Sequence, residues 1–454
     1  MTINALWNKH AKSGYNGRHV GSKSNSKRYL NMSLTIQQTT TSASPPKPET
    51  WPYLMQLSVN YLGWAFCWTT ATSYMVPNAL LTMVDDSVKN ARLGLITSLS
   101  NLFVIILIPL FGALSDGATS RFGRRRPFFL TAALIMSILL LLVTRCHAYI
   151  LLLSLVVLMH GALALWFPNR ALIRDLVPLE RRGRISGLSN LTNTLGIMLA
   201  HAVASRLIGT RMFLLALIAI TANILANLWV ALRIREKPSE RESSRSLPSW
   251  REVYLPRLEK TRGLGWLAAC NILTYMGVVA MTCFLLYFVK DQIDRENFNV
   301  TFGKTVLIAM GAGIPSSLAA GFLADRFGRR RVFLVACLLQ LACMVNFLLA
   351  PRGYATLYLS GLLFGLGNGA YLSMYWTLVS DMIPAEEASK YIGLMQYTML
   401  IPWVVTPLTL GPIVDGFGAA SGTGYNILFS IIVVFLLAGL FLIRKIPETL
   451  HRSS

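Results

Sequence analysis

The sequence predicts an all-α membrane protein of twelve transmembrane helices, arranged as two pseudo-symmetric six-helix bundles. Three observations predict it. The 454 residues are 54% hydrophobic and only 14% charged, with a mean hydropathy of +0.51. An ordinary soluble chain is about 25% charged, so lipid must solvate much of this one. Twelve apolar runs follow one another, each near the length of about 20 residues that a helix needs to cross a bilayer core. Finally, the last six runs repeat features of the first six at a nearly constant offset.

In chain order, residues 1–50 hold Ser, Thr, Asn, Lys and Pro without an apolar run. They are expected to form a disordered tail, and a cleavable signal would need an apolar core of about 7–15 residues. The first bundle is expected over 51–232, with spans near 52–76, 93–114, 127–144, 149–167, 187–208 and 212–232. Residues 233–263, rich in Ser, Pro and paired charges, form the linker. The second bundle covers 264–443, with spans near 264–289, 302–323, 332–350, 354–378, 391–413 and 426–443, and 444–454 is a short tail. Spans 1 and 11 carry more polar, Gly and Pro residues than the rest.

An even number of spans puts both termini on one side. Of the 42 basic residues, 33 lie in the segments of that side, so the formal charge of +22 is a matter of topology and not a nucleic-acid footprint. Such a bias places the termini and the linker in the cytoplasm, with the plasma membrane as the expected location. Six cysteines lie in or beside apolar runs and none forms a CxxC pair. They suit packing better than a disulfide framework or a metal site.

The repeat extends beyond hydropathy. Gly112-Ala-Leu-Ser-Asp116 followed by Arg121-Phe-Gly-Arg-Arg-Arg126 recurs as Gly321-Phe-Leu-Ala-Asp325 followed by Arg326-Phe-Gly-Arg-Arg-Arg331. The first copy carries four extra residues, Gly117 to Ser120. Asp175-Leu-Val-Pro178 recurs as Asp381-Met-Ile-Pro384, and Gly187 matches Gly393 at the same offset of 206. Two motifs in one order at one offset indicate a duplicated six-span unit.

With its doubled G-x-x-x-D…R-x-G-R-R loop between spans 2–3 and 8–9, the chain resembles the major facilitator superfamily from about residue 52 to 447. More narrowly it is similar to the glycoside and sucrose branch. That likeness rests on Ser115-Asp116…Arg121-Phe-Gly-Arg-Arg-Arg-Pro-Phe128, on the four-residue insertion, and on Gly367-Asn-Gly-Ala-Tyr371-Leu-Ser before Asp381. The resemblance implies a secondary transporter that rocks residues 52–232 against 264–443 around a midplane site, with sugar or glycoside as the cargo class. An exporter of amphipathic compounds is the alternative within transport. A non-transporting assembly factor or receptor of the same fold is the rival from another class, although such a scaffold has no need of Asp116 and Asp325. Where the sucrose-like branch carries an aspartate, this chain has Ser373-Met-Tyr-Trp376, with Tyr375 in its place.

The motif residues have a physical reading. Gly112 and Gly321 lack side chains, so a neighbouring helix can come close. Asp116 and Asp325 end their spans at the basic interface, where a carboxylate can meet a helix N-terminus or the arginines beyond it. The resemblance implies that these contacts form a gate that makes and breaks. Arg121, Arg124 and Arg125, with Arg326, Arg329 and Arg330 in the second copy, would serve it; the same arginines would also anchor at the lipid phosphates. Arg170 and Arg174 share a helix face and, with Asp175 and Asp381, are expected in the same charge network.

Polar side chains inside hydrocarbon need a partner or a cavity. Asn60, Trp64 and Trp68 recur on one face of span 1, and Asn368, Tyr371 and Tyr375 on one face of span 10, beside Trp376. Asn271 and Tyr275 pair in span 7, and Asn193 lies with Asn190 and His201 along span 5. Aromatic faces beside amides suit a sugar, and the resemblance implies that spans 1, 4, 7 and 10 line the path. His160 in span 4 is the candidate proton-coupling group, its imidazole being titratable near neutral pH. No phosphate loop, HExxH or GxSxG occurs. The expectation is therefore no enzyme activity, no cofactor and no metal. The expected partners are a small-molecule substrate, the lipid bilayer and a co-transported proton, for a protein that works as a monomer.

Overall fold

The computed structural model describes residues 55–118, 120, 122–177, 179–234, 262–383 and 388–449. The expected tail 1–50, almost all of the linker 233–263, the last residues of the tail 444–454 and Arg121 lie outside the described residues, as do the side chains of Arg174 and Glu180. Every regular element among the described residues is helical. There are twelve helices in order. α1 spans 59–81 as Val59–Thr69, a π-type segment Thr70–Met75 and Val76–Leu81. It is followed by α2 (Lys89–Gly117), α3 (Arg126–Val143) and α4, which spans 149–176 and tightens into a 3₁₀ turn at Phe167–Arg170. Then come α5 (Leu179–Leu207), α6 (Met212–Arg233), α7 (Arg262–Gln292), α8 (Phe298–Phe327), α9 (Arg329–Leu349), α10 (Tyr354–Met382), α11 (Ala388–Gly416) and α12 (Thr423–Ile443).

Among the described residues, nine helices are long and apolar enough to cross a membrane; α1, α5 and α10 are the three that fall short. Each has a local reason. α1 carries buried Asn60, Thr69 and Thr70 and is interrupted by the π segment, which lets the helix continue through Pro77 beyond its expected end. α5 carries Ser189, Asn190, Thr192, Asn193, Thr194 and His201 within its span, and it begins eight residues earlier than expected, so Arg181, Arg182 and Arg184 are helical and not loop. α10 is rich in Gly and Tyr and carries Asn368 in its middle. All three contribute to the wall of the central cavity described below, where a polar surface is an asset.

The repeat in sequence is a repeat in packing. α1 packs on α5 and α6 as α7 packs on α11 and α12; α2 packs on α4 as α8 packs on α10; and α3 touches α4 and α6 as α9 touches α10 and α12. Leu54–Ser454 forms one compact unit, in which α2 meets α11 and α5 meets α8 across the two halves. Close approach has a specific cause at these seams. A Cβ on Gly94 of α2 would collide with the carbonyl oxygen of Pro407, and one on Gly411 of α11 with that of Asn90. The backbones of α2 and α11 therefore touch directly, near the start of α2 and the end of α11.

Candidate functional site

The bundle has a basic face, where the two G-x-x-x-D…R-x-G-R-R loops lie, and an opposite face, where α2, α8 and α12 begin. At the basic face, Gly123 and Gly328 occupy the same place in the two motif copies, and both have positive φ, 100° and 97°. An L side chain is strained there, which is why glycine suits the turn that leads into each arginine run.

In the first copy Arg125 is 2% exposed. Its guanidinium donates to Asp116 Oδ1 (2.6 Å), Asp175 Oδ2 (3.1 Å) and Ser115 Oγ (2.7 Å), and Arg124 donates to Asp116 at 2.8 Å. The planar fork of arginine suits such shared binding of carboxylates. In the second copy Arg329 pairs with Asp381, which also accepts from the Thr449 hydroxyl at 2.6 Å. Arg330 donates to the carbonyl of Ile446. Glu448 accepts the first backbone N–H groups of α9, from Arg329 at 2.9 Å and Arg330 at 3.3 Å. Asp325 is exposed and has no ion pair among the described residues, and Arg326 lies over the ring of Phe327.

Two expectations at this face need correction. A Cβ on Gly112 or Gly321 would meet nothing within 4 Å, so neither glycine admits a neighbouring helix in this conformation; the close seams run through Gly94 and Gly411. Arg170 stacks over Phe167, 4.5 Å from its centroid, outside the Asp116–Arg125–Asp175 cluster.

The opposite face carries a network that sequence reasoning missed. Asp86 and Lys89 come from the first half, Lys290 and Asp291 from the second; they pair crosswise, and Lys89 also lies 3.3 Å from Asp86 of its own half. Lys89 Nζ lies 2.6 Å from Asp291 Oδ1, and Lys290 Nζ lies 3.1 Å from Asp86 Oδ1. The Lys89 and Asp291 side chains are 3% and 7% exposed, and Tyr425 donates to Asp291 at 2.9 Å. Partial burial works to raise the Asp86 carboxyl, but hydrogen bonds and charges from Lys290 and Lys89 outweigh it and hold the group below its usual range. Asn78 and Asn299 exchange amide hydrogen bonds of 2.9 and 3.0 Å, and Tyr287 donates to the carbonyl of Pro77. Asp415 at the end of α11 accepts from the Ala91 N–H at 2.7 Å and from Asn90 Nδ2 at 2.8 Å. Apart from the Lys89–Asp86 pair and the Tyr425–Asp291 bond, each of which lies within one half, these contacts join one half to the other.

Beneath this seal lies a cavity of about 600 Å³ between the halves, lined by α5, α7, α8 and α10 with Ser73 of α1 and Phe347 of α9. Among the described residues, no Asp, Glu, Lys or Arg lines it. α5 offers Asn190, Asn193, Thr194 and His201, while α7 and α8 offer mostly apolar groups, among them Met281, Leu285, Met310 and Ile314. Its end nearest the opposite face is roofed by aromatic groups. Tyr74, His201 and Phe302 meet edge-on in a triangle with centroids 5.4–5.5 Å apart, and the Tyr74 hydroxyl lies 2.8 Å from His201 Nδ1. The π segment of α1 supplies Tyr74.

Of the expected substrate residues, Asn193, Asn368 and Trp376 line this cavity; Asn60, Trp64, Trp68, Asn271, Tyr275, Tyr371 and Tyr375 do not. Their polar or aromatic groups are engaged elsewhere. Trp64 stacks on Trp166 (4.9 Å) and on Trp68 (6.3 Å), and Asn60 donates to Asn169 at 2.8 Å. Tyr371 stacks between Phe333 and Tyr375 and donates to Asn271, which donates in turn to Thr398 at 2.7 Å. Tyr375 also meets Thr398, at 2.8 Å, and Tyr275 packs against this cluster. Each half thus spends its aromatic stripe on its own core. His160 faces Trp68 edge-on, with Nδ1 2.9 Å from the carbonyl of Val156, and is off the cavity wall; His201 is on it.

The family model of the Major Facilitator Superfamily matches residues 57–407. The MFS transporter asaE of Aspergillus flavus is 28% identical over 108 residues, which is 24% of this chain and 24% of that protein. The multi-drug resistance efflux pump PmrA of Streptococcus pneumoniae is 26% identical over 349 residues, covering 72% of this chain and 80% of the pump. Among solved structures, a bacterial homologue of the human lysosomal transporter Spinster superposes with a TM-score of 0.71 at 15% identity, over 89% of this chain and 98% of that one. At that identity the likeness is one of fold.

Proposed function

The chain belongs to the Major Facilitator Superfamily and is a membrane transporter of that type, and from this premise we propose that it carries an uncharged, amphipathic small solute across the plasma membrane by alternating access. The observation that carries the cargo class is the cavity wall. Among the described residues it carries no Asp, Glu, Lys or Arg, and it sets the amides of α5 against the thioether and aliphatic groups of α7 and α8. A charged solute entering it would lose its hydration without gaining a counter-charge, which is costly in a low-dielectric site. Methionine walls adapt to varied apolar shapes. Outward movement is supported by the likeness to a multi-drug resistance efflux pump. In this reading the basic face is cytoplasmic, the described conformation is closed on the outside, and the Asp116 and Asp325 motifs are gate elements of the inner side.

A sugar or glycoside is the second reading. It is favoured by Asn193, Asn368 and Trp376, which bring amides and one indole to the same wall. Coupling to protons, where it occurs, has better support at His201 than at His160, because only His201 lines the cavity.

Uptake and counterflow into proteoliposomes decide among these. Neutral amphipathic compounds are expected to move, and replacement of Asn193 by Leu is expected to raise their apparent KM about tenfold through a lost hydrogen bond. Movement of glycosides alone would select the second reading, and movement of charged compounds alone would reject both. Accumulation under a proton gradient that His201→Gln abolishes, with exchange preserved, would establish coupling there. Cysteines placed at Phe122 and Ser421 are expected to label from opposite sides; labelling from the same side would overturn the topology.

A further inference from the structure

α2 and α11 form a matched pair. Each has 29 residues, and each ends in Asp-Gly, at Asp116–Gly117 and at Asp415–Gly416. They run antiparallel, so the carboxylate that ends one helix comes beside the first turn of the other. At the opposite face this contact is made. Asp415 takes the N–H of Ala91, the third residue of α2, and the amide of Asn90. α2 has no cap of its own: its N-cap residue is Val88, which makes no side-chain capping bond and has no oxygen to make one. The first turn of a helix leaves N–H groups unpaired and carries partial positive charge, which a carboxylate answers well. Here that carboxylate belongs to the other half of the molecule.

We propose that Asp415 is the latch of the outer face: it caps α2 in trans, so opening that face strips α2 of the one cap it has among the described residues and draws the equilibrium back toward closure. Gly94 and Gly411 supply the register, because the backbone contact at these two residues brings the end of α11 level with the start of α2. The inference rests on the alternating-access reading given above, but its readout needs no solute. Failure to find transport would leave it standing.

The test is a distance measurement on the whole protein in nanodiscs, between spin labels at Ser87 and Ser421, which are exposed on the two sides of the seam. Asp415→Asn keeps the shape and loses the charge, and is expected to raise the open-to-closed ratio of the outer face about tenfold, as loss of a charge-assisted hydrogen bond would. Val88→Ser gives α2 a cap in cis. Alone it competes with Asp415 for the Ala91 N–H and is expected to loosen the outer face while leaving the protein at least as heat-stable. Added to Asp415→Asn it is expected to restore thermal stability but not closure. An unchanged distance in Asp415→Asn, or recovery of closure in the double variant, would overturn the proposal, the second result reducing Asp415 to an ordinary helix cap.

Discussion

The two faces of the bundle use their charges in opposite ways. At the basic face the described ion pairs stay within a half: Asp116, Arg124, Arg125 and Asp175 in the first, Arg329 and Asp381 in the second. At the opposite face two of the three described pairs cross, Lys89 to Asp291 and Asp86 to Lys290, and the third, Lys89 to Asp86, stays within the first half. Contacts within a half survive a rigid-body movement of one half against the other, whereas contacts between halves must break. On the alternating-access reading, the free energy that favours this conformation then sits at the opposite face, and the basic-face clusters keep each half rigid as it moves.

The largest effect is expected from breaking the crossing pairs. Lys89→Met leaves Asp291 nearly buried without its cation; removing one member of a buried pair costs about 3–5 kcal/mol. Tyr425 remains as a donor to Asp291, so a shift toward the open outer face of about 3 kcal/mol is expected, read as the Ser87–Ser421 distance distribution. Lys89→Met combined with Asp291→Leu should recover most of the loss, because the uncompensated charge is gone. A double variant as open as the single would show that the pair contributes attraction of its own. Gly94→Ala acts on the same face by steric means. Its methyl group would enter the Pro407 carbonyl, and an opening comparable to overpacking, about 1–3 kcal/mol, is expected.

Arg125→Met breaks the comparison from the other side. The cluster it removes lies within the first half, and its carboxylates are partly exposed. The expected loss is about 2 kcal/mol, below that of a fully buried pair. It should appear as a lower melting temperature in detergent, with the outer-face distance unchanged. An outer face that opened instead would mean that the basic-face cluster also carries conformational energy.

Much of this architecture was legible in the sequence, for physical reasons. Twelve apolar runs had to be helices because lipid offers the backbone no hydrogen bonds, and the spacing of the two Gly-Asp-Arg motifs fixed where the loops fall. The opposite-face seal was not legible. Asp86, Lys89, Lys290 and Asp291 stand at helix ends, where charged residues are commonplace, and only folding shows that they face one another. Asp415 sits two residues beyond the expected end of span 11. The aromatic stripes mislead for a different reason. Periodicity places Trp64 and Trp68, or Tyr371 and Tyr375, on one face, but it does not say whether that face meets a cavity or another ring. Here it meets Trp166 in one half and Phe333 in the other.

The smallest effects sharpen the contrast between the two motif copies. Gly123→Ala and Gly328→Ala should each cost about 1–2 kcal/mol for an L residue at positive φ. Gly328 should cost more, since its Cβ would also press on Glu448 Oε2, 2.7 Å away, and disturb the cap that Glu448 provides to α9. Last comes Asp325→Asn. Asp116 accepts from two arginines, whereas Asp325 is exposed and has no ion pair among the described residues. Replacing it should change thermal stability by no more than about 0.5 kcal/mol, the usual range for a surface site, while Asp116→Asn costs measurably more. Transport separates two roles for the second copy. If Asp325 is a gate element, it makes its contact only when the inner side closes. Asp325→Asn then slows turnover and lengthens the inward-open dwell although the described state is unaffected. If turnover and dwell times match those of the parent protein, the second copy keeps its fold through Gly328 and its Arg329–Asp381 pair alone, and gating rests on the first.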